Sequence, residues 1–166
     1  MCLGCAECWR LALEAKFTPS VMALSRQKTP ASRTSAGNLS AKGAYELSPA
    51  SGPAKATLFS SGTEVGIAIA AQKLLEAEGV PTRVVSTPCW ELFDKQDAKY
   101  QAETIGSAPV RVAVEAGVRM GWDRFIGEHG GFVGMTSFGA SAPYQVLYEK
   151  FGITAEGVVA AVKAKL

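Results

Sequence analysis

The sequence predicts an α/β fold: a three-layer α/β/α sandwich around a mainly parallel sheet, preceded by a helix, a strand and a long connecting segment. Three observations predict it. From Ala56 onward, short apolar runs alternate with helix-forming stretches. Runs such as Val110-Arg111-Val112-Ala113-Val114 are nearly continuous in apolar residues, as in strands covered on both faces. Helix punctuation also falls where it should, with Gly79 and Pro81 behind one apolar stretch and Thr154 ahead of another. Strands and helices in alternation build a parallel sheet with crossover helices on both faces.

The elements follow in order. Residues 6–15 are rich in helix formers, with Trp9 and Leu13 four apart. After Thr18-Pro19, the run Val21-Met22-Ala23-Leu24 predicts a strand buried on both faces. Residues 26–55 then lack periodicity, with Leu39, Tyr45 and Leu47 as their large apolar side chains. A stretch that long without a pattern reads as an interdomain connection rather than a loop. Thr57 to Ser60 predicts a strand, and Ser61-Gly62-Thr63-Glu64 a turn opening a helix to about Glu78. That helix carries Val65, Ile67, Ile69, Leu74 and Leu75 around much of its circumference, so it is expected to be covered on several sides. Further strands are expected at 82–86, 110–114 and 131–135, one or two short helices within 90–104, and another within 119–127. A helix over 142–151 begins near Pro143, and a last one follows Thr154.

Composition narrows the function classes. The 166 residues are 48% hydrophobic and 19% charged, a globular mixture long enough for one ordinary domain. With 17 basic and 15 acidic residues and no charge run, nothing favours nucleic acid or an anionic membrane surface. No apolar stretch is long enough for a transmembrane helix, and the N-terminus does not resemble a signal peptide, so a cytoplasmic protein is expected. Cys2, Cys5 and Cys8 form C-x-x-C-x-x-C, but no fourth ligand and proline follow as in bacterial iron–sulfur runs. A helix through them would splay the thiols, so reduced cysteines are expected, with Cys89 alone.

Six segments together resemble the transketolase family over about residues 6–166. They are Leu24-Ser25-Arg26-Gln27-Lys28-Thr29-Pro30, Ala41-Lys42-Gly43-Ala44-Tyr45, Ser61-Gly62-Thr63-Glu64-Val65, Phe93-Asp94-Lys95-Gln96-Asp97, Val112-Ala113-Val114-Glu115-Ala116-Gly117, and the run from Gly134 to Pro143 containing Phe138-Gly139-Ala140-Ser141. Each is weak singly; their order and spacing make the set specific. The resemblance implies residues 1–27 as a remnant of the pyrimidine-binding domain, 28–55 as a linker and 56–166 as the C-terminal domain. It implies a homodimeric enzyme of the pentose phosphate pathway. There, thiamine diphosphate with Mg²⁺ moves a two-carbon ketol unit between sugar phosphates. No G-D-G string is present to hold the diphosphate and metal, and the family's activating glutamate would lie upstream of Met1. The chain alone is therefore expected to be inactive and to bind no cofactor. It would act with N-terminal and middle domains in the same polypeptide or in a separate subunit. The alternative is a free-standing binding or regulatory module.

Arg26 is the candidate site residue. It follows a predicted strand, where open α/β sheets place ligand contacts, and the resemblance implies a contact to the sugar phosphate. A guanidinium suits that task because its planar fork binds phosphate with two hydrogen bonds. Lys28 is a weaker companion. Ser61-Gly62-Thr63 could offer N–H groups to an anion, but a capping turn is favoured there. Glu115 with His129 as an acid–base pair, and Asp94 to Asp97 as a metal site, lack support in the sequence.

Overall fold

The computed structural model describes residues 3–25, 27, 29, 31–33 and 37–166. Arg26, Lys28 and Cys2 lie outside the described residues.

Five strands form one sheet in the order β1-β3-β2-β4-β5, with β1 Tyr45–Ser48, β2 Ala56–Ser60, β3 Thr82–Ser86, β4 Val110–Val114 and β5 Gly131–Val133. The last four pair in parallel and β1 runs antiparallel at the edge against β3. β2 lies at the centre, and all five of its residues are buried. Its pleat sends Leu58 to one face and Phe59 to the other, and the same alternation divides Val84 from Val85 and Val112 from Ala113. Each strand thus feeds two cores, which explains why the strands read as continuous apolar runs.

On the first face lie α2 (Val65–Ala77) and α7 (Ala155–Lys163), joined by side chains of α6 (Tyr144–Lys150). Ala68, Ala71 and Leu75 of α2 meet Val158 and Val162 of α7 over the sheet. Gly79, at φ +75°, ends α2: its N–H reaches the Glu76 carbonyl, and the Val80 N–H reaches that of Leu75. That pair of bonds is a Schellman closure, and it needs a left-handed residue that glycine supplies without strain. α7 starts at Thr154, whose hydroxyl accepts from the Gly157 N–H at 3.1 Å.

The second face is aromatic. Phe93 of α3 (Trp90–Asp94) stacks on Phe125 of α5 (Asp123–Ile126), which tilts against Phe59 of the sheet, with Trp90 and Trp122 edge-on to each other. Residues 90–104 form two helices, α3 and α4 (Ala98–Ile105); Asp97 caps the second by accepting from Tyr100 N–H at 2.8 Å. Asp94 pairs with Arg124 at 2.6 Å, so both acids of the Phe93–Asp97 segment have structural partners.

Two expectations fail. The predicted strand over 21–24 is not one: the segment is irregular, Val21 is 98% exposed and Leu24 is 57% exposed. An apolar run becomes a buried strand only beside strands that pair with it, and no strand among the described residues does so. Within 28–55, regular structure appears where periodicity predicted none. A 3-10 helix spans Leu39–Lys42, and Tyr45–Ser48 is strand β1. Asn38 accepts from the Ala41 N–H, and Gly43 turns the chain at φ +78° into the sheet edge. The 3-10 helix also anchors α1 (Leu3–Glu14). Glu7 of α1 is buried, takes hydrogen bonds from the Ser40 hydroxyl and N–H, and pairs with Arg33. Burial pushes the Glu7 carboxyl up, but these partners outweigh it and hold it below its ordinary value.

Candidate functional site

The carboxyl ends of β2 and β4 carry a half-buried polar cluster. Ser61 follows β2 and Glu115 follows β4, side by side because the strands pair in register from Ala56↔Val110 to Ser60↔Val114. Ser61 does not cap the following 3-10 helix as its sequence suggests; its hydroxyl donates to Glu115 Oε2 at 2.8 Å. Glu64, buried one turn later, accepts from the Thr63 hydroxyl at 2.7 Å and from the Tyr148 hydroxyl of α6. Burial pushes the Glu115 carboxyl up to about 7, the nearby Glu64 carboxylate adds to the effect, and Ser61 opposes it. Tyr148 is pushed up to about 12, again by burial first and then by its bond to Glu64. Partly desolvated and next to the Glu64 carboxylate, the Glu115 carboxyl keeps its proton up to about 7.

Beside this cluster is a cavity of about 390 Å³, bordered by Ser61, Thr87, Trp90, Glu115, Trp122 and the exposed Val21. The irregular segment after α1 therefore passes the carboxyl end of the sheet, the end at which α/β proteins bind ligands. Cys89 also lines this cavity, and burial raises its thiol above the ordinary value.

The sequence-predicted residues scatter. Arg26 lies outside the described residues, so its geometry adds nothing to the expectation. Glu115 joins Ser61 and Glu64 rather than His129, which lies in the loop at the opposite, amino end of β4, where its carbonyl accepts from Lys165 at 2.7 Å. Tyr148 is the residue that sequence reasoning missed. Its place in the cluster depends on α6 folding back over the start of α2, more than eighty residues earlier, and no local pattern signals that. Among the described residues no three His, Cys, Asp or Glu side chains converge as metal ligands. No helix among them is long and apolar enough to cross a membrane.

Comparison with known proteins places this geometry. Residues 43–154 match the family model of the transketolase-like TK C-terminal domain. A transketolase of Rhodobacter capsulatus is 53% identical over 97% of this chain, which spans 25% of that protein. The chain thus spans about a quarter of the length of that curated relative. A crystal structure of Pichia stipitis transketolase in complex with sedoheptulose 7-phosphate superposes with a TM-score of 0.89 at 29% identity, over 98% of this chain and 23% of that one. A split-gene transketolase, described as an inactive beta4 tetramer, shares the fold with a TM-score of 0.67 at 24% identity, over 85% of this chain and 48% of that one. The family match across both strand–helix layers, and the near-full-length similarity on this side, show that the chain belongs to the transketolase family and carries its C-terminal domain.

Proposed function

We propose that this chain is the C-terminal part of an enzyme that moves a two-carbon ketol unit between sugar phosphates in the pentose phosphate pathway, with thiamine diphosphate and a divalent cation. The observation that carries this is the similarity to a transketolase along nearly the whole chain, including the segment before the sheet. Residues 1–27 are proposed to belong to the pyrimidine-binding domain and 28–55 to connect it to the C-terminal domain of 56–166, with Tyr45–Ser48 of the connection adding the edge strand to that domain's sheet. The sequence carries no G-D-G string of the kind that holds the diphosphate and cation in this family, and the cofactor and its cation are assigned to the part of the assembly that this chain does not span. The chain is proposed to be inactive alone and to work in a homodimeric cytoplasmic enzyme.

Exposed apolar side chains support a docked state. Phe17 is 96% exposed and Phe138 is 97% exposed, with Trp9, Leu13, Met120 and Val146 also in solvent. Apolar surface of this kind is costly in water and is covered in assemblies. The proposed cover is the preceding domains, on the same polypeptide or a separate subunit. The split-gene transketolase supports the second arrangement only by its fold.

Arg26 is proposed to grip the substrate phosphate. The test is Arg26→Ala in an enzyme completed with N-terminal and middle domains. Loss of a charge-assisted, two-pronged contact should lower kcat/KM for sugar phosphates by about one to two decades. Hydroxypyruvate, a donor without phosphate, should react at nearly the original rate. Arg26→Lys should recover part of the loss, because an ammonium cannot reproduce the fork. Equal losses on both donors would overturn the phosphate role. No ketol transfer in the completed enzyme would overturn the functional reading itself.

A further inference from the structure

A second cavity, of about 550 Å³, opens at the amino end of β4, far along the strand from the carboxylate cluster. Its border includes Ser107, Arg111, Glu128, His129 and Lys165. Two permanent cations and an imidazole face one carboxylate, so the cavity favours an anion.

Arg111 is the distinctive group. Arg10, Arg33, Arg83, Arg119 and Arg124 each meet a carboxylate. Arg111, half-buried on the central sheet, has no hydrogen-bond or ion-pair partner among the described residues. A guanidinium partly withdrawn from water gains from an oxyanion with matching geometry. Its register neighbour Thr57, on the same face, has a fully buried hydroxyl that is also without a partner among the described residues. Two unpaired donors side by side in a sheet are unusual in a fold that satisfies most of its buried polar atoms.

The loop across the cavity is arranged to the same end. Arg119 takes up the carbonyls of Gly127, Glu128 and Gly130 at 3.0–3.2 Å, and Lys165 takes that of His129 at 2.7 Å. All four loop carbonyls are thereby engaged by cations. The N–H groups of Glu128 and His129 meet no backbone acceptor among the described residues. Oxygen atoms that would repel an anion are occupied, while nitrogen donors stay open.

We infer that this cavity binds the phosphate group of a small phosphorylated metabolite, with the Arg111 guanidinium as its principal contact and Lys165 and His129 beside it. The volume is in the range of small-molecule sites. The inference does not depend on Arg26 or on the proposed ketol transfer, and its failure would leave both intact.

His129 is the sequence's single histidine, so its ring resonances report on this cavity without ambiguity. The experiment follows them by NMR in the full chain at fixed pH and ionic strength. Inorganic phosphate is added first, then ribose 5-phosphate, with ribose and chloride as controls. Phosphate and ribose 5-phosphate should move the His129 signals saturably; ribose and chloride should not. Arg111→Ala should weaken binding about ten- to hundredfold, the range for losing hydrogen bonds to a charged group. Arg111→Lys should bind with intermediate affinity. Should Arg111→Ala fail to fold, Lys165→Ala decides instead, because Lys165 is exposed and lies outside α7. It should weaken binding by several fold. A shift that does not saturate, or equal affinity in the folded variants, overturns the inference.

Discussion

Glu115 places a pH-dependent cost in the fold. Its carboxyl titrates at about 7 in the folded chain against an ordinary 4.5. The folded state therefore holds this proton more tightly than the unfolded chain does. Stability from this group is complete below pH 4.5 and is lost as pH rises to 7. At 1.36 kcal/mol for each pH unit across that interval, the upper bound is about 3 kcal/mol. Partial exposure of the carboxyl screens it, leaving about 1–2 kcal/mol at pH 8. Glu115→Gln removes the charge but keeps an oxygen for the Ser61 hydroxyl and adds an N–H that Glu64 can accept. The variant should be more stable than the natural chain by about 1–2 kcal/mol at pH 8 and nearly equal to it at pH 5. Urea unfolding followed by Trp90 and Trp122 fluorescence reads the difference, because both rings are in the layer over the sheet. For a chain of this size the gain corresponds to about 2–8 °C in Tm. An advantage that is the same at both pH values, or a loss at pH 8, would refute the account of the raised Glu115 carboxyl.

Two further outcomes test the fold. A Cβ on Gly43 would run into the Phe93 nitrogen and the Cys89 carbonyl at a φ of +78°, so Gly43→Ala should cost about 3 kcal/mol or more and lower the urea midpoint; an unchanged midpoint would mean that the turn into β1 yields easily. Trypsin should cut first near Lys16, in the exposed irregular segment after α1, while residues 39–163 resist; a first cut between β1 and α7 would contradict the stability assigned to the sheet.

Much of the fold was legible before any coordinates. β2, β3 and β4 were readable because strands buried on both faces need apolar side chains in both directions of the pleat. α2 and α7 were readable because Gly79 and Thr154 satisfy helix ends by local chemistry. The strand β1 was not, since Tyr45–Ser48 draws its hydrogen bonds from β3, some forty residues away, and its own pattern is too short to show. The run 21–24 failed for the converse reason: its composition suits a strand, but nothing among the described residues pairs with it. The burial of Glu7 likewise depends on Arg33 and Ser40, which lie remote in the chain and close over it.

The site divides along the same line. The sequence by itself determined the family resemblance, the alternation that makes a parallel sheet, and Arg26 as the candidate phosphate contact. Only the tertiary structure decided that Ser61 serves Glu115 rather than a helix end, that Tyr148 reaches Glu64, and that Arg111 stands without a carboxylate while five other arginines have one. These are distances between residues remote in the chain, set by strand register and by how helices pack on the sheet. Local preference fixes the conformation of a segment, but the company a polar side chain keeps depends on which segments the fold brings beside it.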